Sequence, residues 1–266
     1  MTDKKGVAGF HGVAGFHGVA GLRGFFSKTT LIAGRELGAM VRTPSGWVIA
    51  AAVLLIDGLL FNAFAVGGGA KLSAKVLENF YYFAAGTTMI AAVLLSMRLI
   101  AEERSNGTLP LLLSSPIGEG SVVVGKYAAA LIFLCGLVLA TLYMPALIFV
   151  HGKVSIGHVA AGSVGLCLLG GAVLALGTLA SSLARSQLVA GVLGATFVVA
   201  LLLAWLVAKI ADPPLQGVLR ELALFDTHFR PFQRGMVRLS DIVFFGSVIV
   251  FSLTTATRVL ANQRWN

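Results

Sequence analysis

The stretch EERSNGTLPLLLSSP, residues 102–116, separates two apolar runs that are each long enough to cross a membrane. Glu102, Glu103 and Arg104 end the first run, and residues 105–107 interrupt the chain. The apolar segment 109–113 that follows is far shorter than the roughly 20 residues that a membrane span needs. It is also too apolar for an ordinary solvated loop. A short apolar segment on the water-facing side of a membrane protein indicates a surface to which a partner binds.

The composition places the whole chain in a membrane. Of its 266 residues, 57% are hydrophobic and 12% are charged, whereas soluble domains carry about 25% charged residues. This length predicts one membrane domain without a second folded unit. The net charge of +9 indicates contact with anionic lipid headgroups rather than with nucleic acid. Both cysteines lie inside apolar runs, so neither a disulfide framework nor a metal site is expected.

Six apolar runs predict an all-α integral membrane protein, because only helices suit such continuous runs in a bilayer. Pro145, in the longest run, predicts a kink near its far end. The long loop 209–240 predicts a short interfacial helix over residues 219–225 and an aromatic anchor over residues 226–235. The predicted spans cover residues 46–66, 82–101, 122–150, 159–183, 187–208 and 241–260.

The N-terminal residues repeat a six-residue unit, VAGFHG at 7–12 and 13–18 and then VAGLRG at 19–24. Three short copies cannot build a solenoid, and two glycines in each copy oppose a stable helix. We therefore expect residues 1–27 to form a flexible tail.

A short amphipathic helix is predicted over residues 28–43. Lys28, Arg35 and Arg42 recur at steps of seven and share one face, Glu36 lies beside them, and apolar residues occupy another face. Such a helix fits the headgroup plane with its cations outward. The alternative is a simple basic flank to the first span.

Lysine and arginine distribution predicts the orientation. The short loops and termini on one side, including Arg98, Arg104 and Lys126 at the edges of the loop after span two, carry more of these cations than those on the other side, where most belong to the long loop. The positive-inside rule therefore places both termini and residues 102–116 in the cytoplasm. The expected location is the cytoplasmic (inner) membrane of a bacterium.

Polar residues inside the spans are functional candidates. Asp57 lies in the middle of the first span, and Asn62 follows it. The Asp57 carboxyl group should face other helices, either in a structural hydrogen bond or along a substrate path. Span four is rich in glycine and alanine, which favours close helix packing or a sliding or dimer interface.

No catalytic set is recognisable. GSVVVGK at 120–126 matches part of a phosphate-binding loop, but Tyr127 follows where a magnesium-binding serine or threonine is needed. His151 and His158 have neither a nearby nucleophile nor the spacing of metal ligands. We expect no enzyme activity, no metal and no cofactor bound by this chain.

Taken in order, these motifs resemble a known family. They comprise RE-x5-R-T-P before the first span, EERSNGTLPLLLSSPI at 102–117, GK-x2-A at the start of span three, SSLARSQLVA between spans four and five, and HFRPFQRGMVRLSDIVFF into span six. The combination, over about residues 31–265, resembles the ABC-2 type transporter permeases. It is most similar to their gliding-motility-type (GldF-like) branch.

The resemblance implies a six-helix subunit paired with a second permease copy or a homologous permease. Separate cytoplasmic ATPase chains would bind ATP and Mg and drive it. Residues 102–116 would form the coupling helix that docks on the ATPase, and residues 28–43 the interfacial helix. The family pattern extends to Glu103, Arg104, Gly107, Thr108 and Pro116. The coupling set also includes Glu102 and Leu111, whereas Pro110 stands where the family usually has glutamate.

These observations predict the permease subunit of an ATP-driven ABC transporter, acting as an exporter. The alternative is a non-transporting membrane anchor or scaffold that recruits an ATPase, for example in a motility or envelope complex. The sequence does not identify the substrate.

Overall fold

The computed structural model describes residues 16–66, 73–108, 118–151, 155–212 and 215–263. Within these ranges the regular elements are all helices. Eleven α-helices, numbered here in chain order, are α1 Phe16–Arg42, α2 Pro44–Leu60, α3 Ser73–Leu99, α4 Ala101–Ser105, α5 Glu119–Thr141, α6 Tyr143–His151, α7 Ile156–Leu183, α8 Gln187–Ala208, α9 Leu215–Glu221, α10 Arg230–Gln233 and α11 Leu239–Gln263; π-helical turns cover Phe61–Val66 and Leu224–Phe229.

Six helical stretches of the described chain are long and apolar enough to cross a membrane, which confirms the predicted number. The second begins well before the predicted residue 82, because Lys75 and Glu78 pair at 2.8 Å across one helical turn and continue the helix into polar sequence. The six stretches are Pro44–Phe64, Ser73–Ser105, Glu119–Ile148, Ile156–Leu183, Gln187–Ala208 and Leu239–Asn262.

Helices α3 and α7 form the centre of the bundle and are its most buried spans. Helix α7 contacts α3, α5, α8 and α11. Its small residues permit close approach: a Cβ atom added at Gly162 would lie 2.3 Å from the ring of Tyr81. The close packing predicted for this span is therefore confirmed.

The third span is interrupted where a kink was predicted. Helix α5 ends at Thr141 and α6 begins at Tyr143. Pro145 has no backbone N–H to donate to the carbonyl of Thr141, so the regular hydrogen-bond ladder cannot continue past this point.

The first helix is longer than predicted. It begins at Phe16, inside the second copy of the repeat, so the prediction of a flexible tail is wrong for residues 16–27. Each glycine of the repeat disfavours the helix by about 1 kcal/mol relative to alanine. This cost does not prevent the helix over residues 28–42 from extending back to Phe16. Residues 1–15 lie outside the described ranges.

The loop between the fifth and sixth spans is folded against the bundle. Its short helix is α9, Leu215–Glu221, rather than the predicted 219–225. The expected aromatic membrane anchor is wrong for Phe229 and Phe232, whose side chains are fully buried in the same core as Phe245. The π-helical turn Leu224–Phe229 brings its aromatic rings into this core, where burial of apolar area stabilises the loop.

Candidate functional site

Helix α4, just before residues 109–116, ends in a capping motif at Gly107 and Thr108. Gly107 has a φ of +69°, a left-handed conformation that glycine adopts without strain. Its N–H donates to the carbonyl of Arg104 at 3.2 Å, and the N–H of Thr108 donates to the carbonyl of Glu103 at 2.9 Å. These two bonds form a Schellman motif. The predicted break at residues 105–107 is therefore a capped helix end, and the helical stretch reaches Ser105 rather than the predicted residue 101.

The second span bends just before that end. Helix α3 stops at Leu99 and α4 starts at Ala101, which leaves backbone N–H groups without helical partners. The hydroxyl oxygen of Ser181 accepts from the N–H of Ile100 at 3.1 Å and from the N–H of Ala101 at 3.0 Å. Because Ser181 lies on α7, the bend in one span is held by a side chain of another.

Arg104 makes a second connection to the same helix. Its guanidinium donates to the carbonyl of Ser182 at 3.1 Å and also to the carbonyl of Ala184. Helix α7 ends at Leu183, where carbonyl groups lack helical donors and the helix dipole favours a cation. Arg104 therefore caps the end of α7 and links it to α4.

A buried ion cluster joins three further elements. Lys126, near the start of α5, is almost fully buried. Its ammonium group donates to Glu36 of α1 at 2.8 Å and to Glu103 of α4 at 3.1 Å. The second oxygen of Glu103 accepts from the hydroxyl of Thr108. Lys126 thus pairs with two carboxylates. One of them, that of Glu103, also accepts a hydrogen bond from Thr108, the residue directly before the segment 109–116.

The helices around this cluster approach closely at Gly125. A Cβ atom there would lie 2.9 Å from Ile32 side-chain atoms and 3.1 Å from the carbonyl oxygen of Thr29, closer than carbon and oxygen atoms normally pack. The missing side chain allows α1 to lie on α5, and the next residue, Lys126, can then reach Glu36.

A cleft of about 500 Å³ lies beside the cluster, between α1, the start of α2 and the end of α3. Arg98 and Glu102 line it and pair through two bonds of 3.1 and 3.2 Å. Arg98, interpreted from the sequence as a topology signal, is therefore a structural partner of Glu102. The lining residues include Arg35, Glu36, Met40, Thr43, Glu103, Asn106, Thr108 and Lys126.

The structure brings together most of the predicted coupling and interfacial residues, but not all of them. Glu36 joins Glu102, Glu103, Arg104, Gly107 and Thr108 at one end of the bundle. Lys28, Arg35 and Arg42 are exposed on one side of α1, as the seven-residue spacing predicts. Leu111, Pro116 and Pro110 lie outside the described ranges, as does the proposed helix they belong to.

The two polar residues predicted in the first span have different surroundings. Asp57 is buried and accepts a hydrogen bond of 2.6 Å from the hydroxyl of Thr87 on α3. Its carboxyl group therefore faces a neighbouring helix, as expected. Asn62 is exposed on the π-helical turn that follows α2 and lies away from the cluster around Lys126.

Sequence reasoning missed two central residues, Lys126 and Ser181. From the sequence, Lys126 counts only as a charge that sets topology, although a lone lysine at the start of an apolar run is a signal for a buried partner. Ser181 carries no such signal, because serines in apolar helices commonly bond to their own helix.

Comparison with curated proteins found no match. A family model, described as ABC-2 family transporter protein, matches residues 30–243. Members of this family are membrane transport domains without a nucleotide-binding site of their own. The match covers well over half of the chain and includes the second half of α1, the capped helix end and the residues of the ion cluster. The chain belongs to the family of ABC-2 transporter proteins, as a multi-pass membrane permease.

Proposed function

We propose that this permease is driven by a separate cytoplasmic ATPase that docks on residues 102–116. ATP and Mg bind to that partner, and a second permease, identical or homologous, completes the translocation path. The observation that supports docking at this position is the Glu36–Lys126–Glu103 cluster, which ties the start of residues 109–116 to the bundle.

The contacts suggest how motion passes from the partner into the membrane. A displacement of residues 109–116 reaches Thr108 first, and then Glu103 through the Schellman motif and the hydroxyl contact. From Glu103 it passes to α1 and α5 through Lys126. From Arg104 it passes to α7, the central helix. A buried, hydrogen-bonded connection transmits force better than a solvated loop because its groups lose their partners if they move independently.

We further propose that this end of the bundle is cytoplasmic, that the membrane is the bacterial inner membrane, and that the protein works as an exporter. The distribution of lysine and arginine supports this orientation. On it, α1 lies in the headgroup layer with Lys28, Arg35 and Arg42 towards the lipid phosphates. Membership of the gliding-motility-type branch is part of the same proposal, and the substrate is left open.

The test is purification of the full chain from its native membranes in mild detergent, with identification of the proteins that accompany it. We expect an ATPase in near-equal amount. Replacing residues 109–116 with a glycine-serine linker of equal length should remove it, because the docking surface is lost. A linker of matched composition at residues 67–72, between the first and second spans in the sequence, should leave the ATPase bound.

The same purification also discriminates between a transporter subunit and a membrane anchor or scaffold. Capture of an ATPase whose hydrolysis is not coupled to movement of any substrate would favour the anchor or scaffold. Recovery of the chain without an ATPase, from membranes in which it is functional, would contradict the proposed docking. The melting temperature of each variant in detergent shows whether the spans remain folded.

A further inference from the structure

A cavity of about 670 Å³ lies at the end of the bundle opposite Lys126. Helix α3 connects the two ends: Glu78 in its first turns lies 3.7 Å from Arg234, which lines the cavity, whereas Glu102 follows its last turn. A helix of 27 residues is about 40 Å long. The cavity is therefore separate from the cluster that couples α1, α4 and α5.

Cations dominate the lining of this cavity. Among its described lining residues are one carboxylate, that of Asp226, and five cationic side chains, those of Lys209, Arg220, Arg230, Arg234 and Arg238. All five cationic residues are exposed. Like charges gathered around one cavity repel each other, so an anion that binds there relieves this repulsion.

The protein neutralises these charges only in part. Arg230 pairs with Asp226 at 2.9 Å, and Arg234 lies 3.7 Å from Glu78. Lys209 keeps its charge and lies over the ring of Trp205 at 4.0 Å from its centroid. Arg220 and Arg238 have no carboxylate within ion-pair distance among the described residues. Two guanidinium groups with donors in a fixed fork are thus available for an oxyanion.

The backbone that carries these arginines is held in place. His228 is buried and bonds through one ring nitrogen to Asp241 at 2.9 Å and through the other to the carbonyl of Glu221 at 2.9 Å. The hydroxyl of Thr227 donates to the carbonyl of Arg220 at 2.7 Å. The cationic wall is therefore built on a fixed frame, which lowers the entropy lost when a ligand binds.

The position of α9 indicates the depth of the cavity in the membrane. Leu215, Val218 and Leu222 expose an apolar stripe on and directly after this short helix, whereas Gln216 and Arg220 line the cavity. A helix with one apolar and one cationic face lies at the boundary between acyl chains and headgroups. This pattern at the mouth of the cavity is typical of headgroup depth.

We propose that this cavity binds the phosphate group of an anionic phospholipid headgroup. The phosphate would lie between Arg220 and Arg238, and Trp205 would border the start of the acyl chains. This site is independent of the proposed ATPase docking, because it uses none of the same residues. On the proposed orientation it faces the outer leaflet, where lysine and arginine are not required for topology.

The test uses the tryptophan of the cavity as a local reporter. Replacement of Trp47 and Trp265 by phenylalanine leaves Trp205 as the single tryptophan of the full chain. The protein is placed in phosphatidylcholine vesicles with a small fraction of phosphatidylglycerol, and one of the two lipids carries bromine in its acyl chain near the headgroup. We expect brominated phosphatidylglycerol to quench Trp205 more strongly than its mole fraction predicts. Brominated phosphatidylcholine should quench Trp205 no more than its mole fraction predicts.

A matched pair of variants identifies the site. Arg220→Gln with Arg238→Gln should lower the apparent affinity for phosphatidylglycerol at least about fivefold, as expected for the loss of cations near a headgroup. Arg185→Gln with Arg258→Gln removes two exposed arginines from the other end of the bundle and should leave quenching of Trp205 unchanged. Equal quenching by both lipids, or an equal loss in both variants, would overturn the lipid site.

An experiment with inorganic phosphate distinguishes binding of a lipid phosphate group from binding of soluble phosphate. Phosphate is added to the protein in phosphatidylcholine alone, with chloride at equal ionic strength as the control. If phosphate shifts the Trp205 emission in the parent but not in the Arg220→Gln, Arg238→Gln variant, and phosphatidylglycerol shows no preference, the cavity binds soluble phosphate. If neither phosphate nor phosphatidylglycerol has a site-dependent effect, the proposal is wrong.

Discussion

The ammonium nitrogen of Lys126 lies 3.1 Å from a carboxylate oxygen of Glu103, although the two residues belong to different membrane-crossing stretches. Between these stretches runs the segment 109–116, part of the residues 102–116 on which we propose that an ATPase docks. The pair therefore links the two helices that flank this segment. A second carboxylate, Glu36, reaches the same ammonium from α1 at 2.8 Å.

Replacing Lys126 by methionine should destabilise the protein by about 1–3 kcal/mol, because two partly buried carboxylates then face each other without a cation. Adding Glu103→Gln to this variant should recover part of the loss. Thermal unfolding in neutral detergent measures both effects.

The control for this prediction is Arg35→Met, which removes an exposed arginine that pairs with the same Glu36 at 3.3 Å. Exposed pairs contribute less than about 1 kcal/mol, so this change should be small. Equal losses of stability in the Lys126→Met and Arg35→Met variants would show that burial of Lys126 has no energetic importance.

Gly125→Ala should separate α1 from α5. The added carbon would meet Ile32 at 2.9 Å, and overpacking of this kind costs about 1–3 kcal/mol. Because α1 carries Glu36, the shift should also weaken the pair with Lys126 and make α1 more accessible to protease.

Gly136→Ala, on the same helix, has no atom within 4 Å of the added carbon. Alanine is the better helix former by about 1 kcal/mol, so this variant should be neutral or slightly more stable. Limited proteolysis and melting temperature compare the two variants. Identical behaviour would contradict close contact at Gly125.

Gly107→Ala should weaken the capped helix end, because an L-residue at a φ of +69° costs about 1–2 kcal/mol. Gly118→Ala is the matched change at the other border of the undescribed segment 109–117, where φ is −66° and alanine fits. ATPase capture by the full chain should fall for Gly107→Ala and stay constant for Gly118→Ala. Asparagine at 107 tolerates this conformation better than alanine and should restore part of the capture.

Ser181→Ala should cost about 1–3 kcal/mol, because the N–H groups of Ile100 and Ala101 lose their acceptor in a buried position. Ser252→Ala provides the comparison. Ser252 is equally buried, but its hydroxyl has no hydrogen-bond partner in the described part of the chain, so its removal should be neutral or stabilising. A smaller melting-temperature loss for Ser181→Ala than for Ser252→Ala would refute the role of Ser181 at the bend.

Several features of the fold were determined by local sequence alone. Six apolar runs form six membrane-crossing helices, since a bilayer offers no water to unpaired backbone groups. Pro145 interrupts the third span because it lacks an N–H group. Gly107 ends a helix because glycine adopts a positive φ without strain. Each outcome depends on the chemistry of a residue or of its immediate neighbours.

Other features required the tertiary structure. The sequence shows a lysine after Gly125 and a serine near the end of α7, but their partners lie 90, 23 and about 80 residues away. Phe229 and Phe232 have the composition of a membrane anchor, yet they are buried in the bundle. The choice between lipid and core for an aromatic ring, and between solvent and carboxylate for a lysine, depends on which helices pack together. That packing is a property of the whole chain, and it alone decided the ion cluster at one end of the bundle and the cationic cavity at the other.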